Sequence, residues 1–267
     1  MAREFTVAAA DTHLHGVDHG VDTLGGKPPL LFLNGGFATQ RQWNHVIGRL
    51  GGTYRAVTFD ARGRGRSGTS SDYSLRGAID DVDRVIEATA LRRPILVSWS
   101  HGATIALCYA ADYPEMVSGL VLVDGAYPVS VFDAAGKEGV RERFRGLGWI
   151  TRVLAFFGRS ARLTPQESAE VVIGIDEVNG DLGPDFEGLG CPTVFVVGSG
   201  AHSGASAQEM STIRAAAARA AATNDRVTVF ATTMSNHARI LAEDPGVVAA
   251  AIEDVAGRSM SAGATGP

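Results

Sequence analysis

The chain has 267 residues, of which 45% are hydrophobic, 7% aromatic and 33 glycine. That is enough for one large α/β domain, or two small ones, with a sizeable core and many tight turns. Its net charge of −5 excludes a nucleic-acid surface, which needs a basic patch to displace counterions; the arginine-rich spot Arg62 to Arg66 is short and flanked by acids.

Met1 to Ala10 holds only a brief apolar run beside Arg3 and Glu4, so neither a signal peptide nor a membrane span is expected. Cys108 falls in a helical stretch and Cys191 just before a strand, where both read as buried thiols rather than a disulfide. A soluble, cytoplasmic protein is the expectation.

Glu4 to Ala9 and Thr12 to Val17 predict a hairpin turning at Ala10-Asp11. His13, His15 and His19 have the look of metal ligands, but alternation along an exposed strand explains the first two and no matching cluster follows; no metal is expected. Pro29 to Leu33 is a continuous apolar run ending at Asn34-Gly35-Gly36, as in a strand buried on both faces. Arg41 to Leu50 carries Trp43, Val46, Ile47 and Leu50 at helical spacing, and Tyr54 to Phe59 is the next strand.

Gly63 to Gly68 contains a formal Gly-x-Gly-x-x-Gly match, but Thr69 to Tyr73 after it is loop-like, whereas a dinucleotide fingerprint must enter a helix. A structural loop is expected there, and no cofactor. Ser74 to Ala90 is an amphipathic helix with Ile79, Val82, Val85 and Ile86 on one side.

Ile95-Leu96-Val97 then breaks at Ser98-Trp99-Ser100-His101-Gly102 and runs without a loop into helix formers. A strand-to-helix elbow of this kind puts its central residue on a tight turn and needs small residues two before and two after it, here Ser98 and Gly102. Ser100 at a helix N-terminus faces backbone N–H groups that favour developing negative charge, so it is the candidate nucleophile; the plainer reading is a strand–helix connection with small residues for close packing.

Leu120 to Val123 is a further strand, ending in Asp124-Gly125. From Tyr127 to about Gly190 the strand rhythm gives way to amphipathic pieces that predict about three helices. Cys191 to Val197, Ser206 to Ala222, Val227 to Ala231 and a helix near Asp244-Pro245 complete the alternation, which implies parallel pairing. The expected organisation is a core of residues 1–125 and 190–258, a helical cap insertion at 126–189, and a flexible tail at 259–267.

Leu33-Asn34-Gly35-Gly36, Trp43, Phe59-Asp60-x-Arg62-Gly63-x-Gly65-x-Ser67, the Ser100 elbow, and Asn236-His237 before Glu243-Asp244-Pro245 occur in the order seen in α/β-hydrolase-fold enzymes. The resemblance spans the hairpin to Val255. It implies a mostly parallel eight-stranded sheet flanked by helices, with a small helical cap after the sixth strand, but not a substrate.

Carried over by position, the resemblance makes Ser100 the nucleophile and His237 the base that accepts its proton. The oxyanion donors would be the N–H of His101 and that of Gly36, with Phe37 as the neighbouring candidate. The family often has His-Gly where this chain has Asn34-Gly35. Most members carry an acid after the seventh strand, yet Val197 to Gly204 has no carboxylate, and Glu209 is a weak substitute. Asp124 is the natural replacement, a layout similar to haloalkane dehalogenases and to zearalenone lactonases; Asp176, Glu177 or no acid at all are the alternatives.

Dehalogenases and epoxide hydrolases of this fold use a carboxylate nucleophile, which Ser100 disfavours. The function expected is a serine hydrolase that cleaves a carboxylic ester, lactone or thioester of a hydrophobic small molecule through an acyl-enzyme. Phe37, Trp99, Tyr127, Trp149, Phe156 and Phe157 are expected to wall an apolar pocket. The alternatives are a carbon–carbon bond hydrolase or lyase, and a non-catalytic receptor for a small ligand.

Overall fold

The computed structural model describes residues 2–20, 26–156, 161–200 and 207–264, without the side chains of 147–156, 207, 209, 263 and 264. Eight strands form one sheet: β1 (Arg3–Ala9), β2 (Thr12–Asp18), β3 (Leu30–Leu33), β4 (Ala56–Phe59), β5 (Ile95–Trp99), β6 (Gly119–Val123), β7 (Thr193–Gly198) and β8 (Val227–Thr233). Their order is β1-β2-β4-β3-β5-β6-β7-β8. The β1–β2 hairpin is antiparallel and joins β4 antiparallel; every pairing from β4 to β8 is parallel.

The apolar runs of the central strands divide by alternation between two cores. Leu31, Leu33, Leu96, Leu120, Leu122, Phe195 and Val197 face one side, where they meet α2 (Leu75–Thr89), α3 (His101–Asp112) and α7 (Ala207–Thr223). Phe32, Ile95, Val97, Val121, Val123, Val194 and Val196 face the other, covered by α1 (Asn44–Leu50), α8 (Ile240–Glu243) and α9 (Pro245–Ala264). The sequence between β6 and β7 forms three helices, α4 (Ala134–Phe156), α5 (Pro165–Asp181) and α6 (Gly183–Gly188). Thr164 opens α5 with a capping box to Glu167.

Residues 259–264, expected in a flexible tail, continue α9. Ser259 and Ser261 return their hydroxyls to the Ala256 and Gly257 carbonyls, and a short polar sequence has no breaker to stop a helix already under way. No helix among the described residues is long and apolar enough to cross a membrane.

The Gly63–Gly68 segment is a loop, as expected, and a braced one. Asp60 receives the backbone N–H groups of Gln40 and Arg66, while Ser67 donates to the Asp60 carbonyl and accepts from His15 N–H. Gly65 sits so close that a Cβ there would lie 2.2 Å from an Asp60 carboxylate oxygen. Arg62 reaches out of the loop to α2 and grips buried Asp81 with two hydrogen bonds, of 2.8 and 2.7 Å.

Candidate active site

The C-terminal ends of the parallel strands gather the site, as open α/β sheets do where strand order reverses. Ser100 follows central β5, with φ 57° and ψ −124°, a conformation that costs an L-residue about 1–3 kcal/mol. Surrounding contacts hold it there. Its N–H donates to Val123 O at 3.0 Å, and its carbonyl accepts from Ala103 N at 2.9 Å. Gly102 is required because α3 starts against the end of β3: a Cβ would lie 2.6 Å from Leu33 O and 2.7 Å from Asn34 O. Ser98, fully buried, donates its hydroxyl to Val121 O at 3.0 Å, so a serine stands there without an orphaned polar group.

His237 lies in the turn after β8. Asn236 shapes that turn by accepting from the N–H groups of Arg239 and Ile240. One imidazole nitrogen, Nε2, is 2.8 Å from Ser100 Oγ, and Nδ1 is 2.8 Å from Asp124 Oδ2. With Nδ1–H donating to the carboxylate, Nε2 of the neutral ring is the acceptor for the serine hydroxyl.

Asp124, at the end of β6 with φ 46°, is completely buried at its side chain. Its Oδ1 accepts from Tyr127 Oη at 2.6 Å and from Gly198 N at 3.1 Å. The last residue of β7, whose following loop has no carboxylate in its sequence, thus supplies a backbone donor to the carboxylate from β6. The other acids weighed from sequence lie elsewhere. Asp176 accepts from Ser130 Oγ and from the N–H groups of Val131 and Phe132, and Glu177 pairs with Lys137 at 2.6 Å. The side chain of Glu209 is outside the described residues.

The Asn34–Phe37 loop closes over Ser100 from β3. A Cβ on Gly35 would lie 3.4 Å from Ser100 Cβ, and one on Gly36 would lie 3.4 Å from His101 Nδ1. Asn34 fixes this loop by donating to Phe59 O at 2.6 Å and accepting from Trp43 Nε1 at 2.9 Å. His101 opens α3, so its backbone N–H has no acceptor within the helix. Burial and the nearby Arg64 charge push its imidazole down to about 3, keeping the ring neutral.

Two residues expected to wall the pocket contact the hydrogen-bonded chain directly. Tyr127 holds Asp124 and stacks on Phe195, its phenol pushed well up by burial and the adjacent carboxylate. Trp99 donates to His237 O at 3.2 Å, with its ring centroid 5.4 Å from the imidazole. Phe37 is half-buried against Phe144 of α4. Phe157, and the side chains of Trp149 and Phe156, lie outside the described residues. A groove of about 710 Å³ between the 71–75 segment and α5 reaches the site at His101.

Among the described residues no group of three or more His, Cys, Asp or Glu is arranged to hold a metal. His15 is buried, with Nδ1 3.1 Å from Gln40 Nε2.

Comparisons with known proteins agree with this architecture. The chain is 31% identical over 110 residues to Epoxide hydrolase 4 of Mus musculus, covering 40% of this chain and 30% of that protein. It is 34% identical over 110 residues to a Serine hydrolase-like protein of Danio rerio, covering 39% and 34%. These matches span about a third of each relative's length. Among solved structures, the haloalkane dehalogenase DbeA from Bradyrhizobium elkani USDA94 superposes with a TM-score of 0.74 at 18% identity, covering 98% of this chain and 100% of that one; the likeness is one of fold. The profile of the Alpha/beta hydrolase family matches residues 30–251, and the chain belongs to that family.

Proposed function

We propose that the protein is a serine hydrolase acting on a carboxylic ester, lactone or thioester. The observation that supports this reading is the unbroken hydrogen-bonded chain from Ser100 Oγ through His237 to Asp124. In this mechanism Ser100 Oγ attacks the carbonyl carbon as its proton passes to His237 Nε2. Asp124 holds the ring in the tautomer that accepts the proton and stabilises the imidazolium. The N–H groups of Gly36 and His101 receive the oxyanion. Collapse breaks the bond to the leaving group, which takes the proton from His237. Water, deprotonated by the same ring, then cleaves the acyl-serine to release the carboxylic acid and restore Ser100.

Helices α4 to α6 act as the cap, and the groove beside α5, with Leu75, Val171 and Ile175 among its walls, admits the substrate. A hydroxyl at the elbow favours acyl transfer over the carboxylate chemistry that opens epoxides or displaces halide. The test is labelling by a fluorophosphonate together with turnover of 4-nitrophenyl esters. Wild type is expected to label and turn over, Ser100→Ala to do neither, and Asp124→Asn to lose about 10³- to 10⁴-fold in kcat with KM little changed. Equal labelling of wild type and Ser100→Ala, or near-normal kcat in Asp124→Asn, would overturn these assignments.

A further inference from the structure

Behind the oxyanion loop lies a buried cation with no carboxylate within ion-pair distance among the described residues. Arg64 is 4% exposed, and its guanidinium meets two carbonyls and a ring: Nε donates to Gly36 O at 2.8 Å, Nη1 to Arg62 O at 2.7 Å, and Cζ lies 5.7 Å from the Tyr73 ring centroid. Nη2 is buried with no hydrogen-bond partner among the described residues. The nearby carboxylates belong to its neighbour. Arg62 holds Asp81 with two nitrogens and Asp72 at 3.4 Å. Burial and the Arg62 charge push the Arg64 guanidinium down to about 10, so it stays cationic at neutral pH. A charge removed from water is normally paired, because leaving it alone is costly.

Space for a partner is present. Arg64 lines a cavity of about 30 Å³ with Gly36, Tyr73 and His101; Asp81 lines it too, its carboxylate held by both hydrogen bonds from Arg62. That is room for roughly two waters, which suits a planar carboxylate better than a tetrahedral phosphate. Tyr73 and His101 also line the larger groove beside α5, so the cavity adjoins the route assigned to the substrate. Three of the four acids of that groove are engaged, Glu170 with Arg141, Glu177 with Lys137 and Glu167 as a cap on its own helix, and the fourth, Asp181, is exposed to water, which screens its charge. His101, held neutral, adds no charge of its own.

The geometry points to an anion subsite in which Arg64 Nη2 receives a carboxylate of the substrate, so that the preferred ester or lactone carries a free carboxylate on its acyl part. This rests on the serine-hydrolase reading for the words "ester or lactone", and on Arg64 alone for the anion. The fork of the guanidinium gives the subsite direction as well as charge.

The test compares mono-4-nitrophenyl glutarate with its terminal amide, which has nearly the same shape and no charge. Wild type is expected to favour the carboxylate by about 10- to 100-fold in kcat/KM. Because Arg64 also holds the Gly36 loop, Arg64→Gln slows both esters, and the readout is their ratio, which falls toward one; Arg64→Lys, which keeps the charge, retains part of it. A wild-type ratio within twofold overturns the subsite and leaves the hydrolase reading standing.

Thermal shift with glutarate against glutaramide and sodium chloride reads the same subsite without turnover. Stabilisation by glutarate that disappears in Arg64→Gln supports the subsite even if neither ester is cleaved, in which case the hydrolase reading fails alone. Stabilisation by chloride equal to that by glutarate assigns Arg64 a structural ion and overturns the proposal.

Discussion

Three separate parts of the chain converge on Asp124: His237 after β8, Tyr127 three residues on, and the Gly198 N–H at the end of β7. In the proposed mechanism Tyr127 is a positioning residue, and Tyr127→Phe isolates what its hydroxyl contributes. Losing one hydrogen bond to a buried carboxylate costs about 1–3 kcal/mol. The expected outcome is a drop of about 10-fold in kcat with KM within twofold, because the carboxylate, and through it the imidazole, loses orientation while the groove is untouched. An unchanged kcat would show that Gly198 N–H suffices.

The residues proposed for the chemistry could be named from the sequence, Ser100 from its small neighbours and His237 and Asp124 through the resemblance of the ordered motifs, and the structure brings the three within hydrogen-bond distance. What supports them was not legible in the sequence. Tyr127 turns back on Asp124 through positive φ at both Asp124 and Ala126, a backbone path that side-chain spacing does not encode. Arg64 read as one of several arginines in a short arginine-rich structural loop, since nothing local separates it from Arg62, which is paired, or from the exposed Arg66.

At the scale of elements, the elbow is the joint at which β5 hands over to α3, and its tolerance is set by the backbone of β3. Gly102→Ala is expected to destabilise the fold by about 1–3 kcal/mol, since the added methyl meets two carbonyl oxygens rather than a side chain that can swing away. Urea unfolding measures this; a midpoint equal to wild type would mean that α3 has room to slide. The elements themselves were largely readable, because the central strands are continuous apolar runs and α2 has a clean amphipathic period. Boundaries were less so. The strand expected from Tyr54 begins at Ala56, and the helix expected from Arg41 opens as a 3₁₀ turn over Gln40–Trp43. At the C-terminus, small polar residues that read as a tail are carried along by the helix before them.

For the whole molecule, His101 is an expected source of acid sensitivity. His101 is held down to about 3 when folded, against about 6.5 when unfolded. Below pH 6.5 the unfolded chain takes up a proton that the folded one refuses. Its contribution to stability is therefore complete above pH 6.5 and is lost as pH falls toward 3, by about 1.4 kcal/mol per pH unit. His101→Gln is expected to flatten the acid limb of stability between pH 7 and 5, measured by urea unfolding at each pH. Parallel limbs for the two proteins would assign the sensitivity to other groups.

The sequence separations within the Ser100–His237–Asp124 chain have a consequence for the order in which it assembles. Ser100 and Asp124 sit on neighbouring strands joined by one helix, a short loop closure. His237 reaches them across 137 and 113 residues. Contacts that close the longest loops form slowly. On the proposed serine-hydrolase reading, the β5–α3–β6 unit is expected to set serine and carboxylate side by side before the base arrives, so that regain of ester turnover on refolding lags the recovery of core fluorescence.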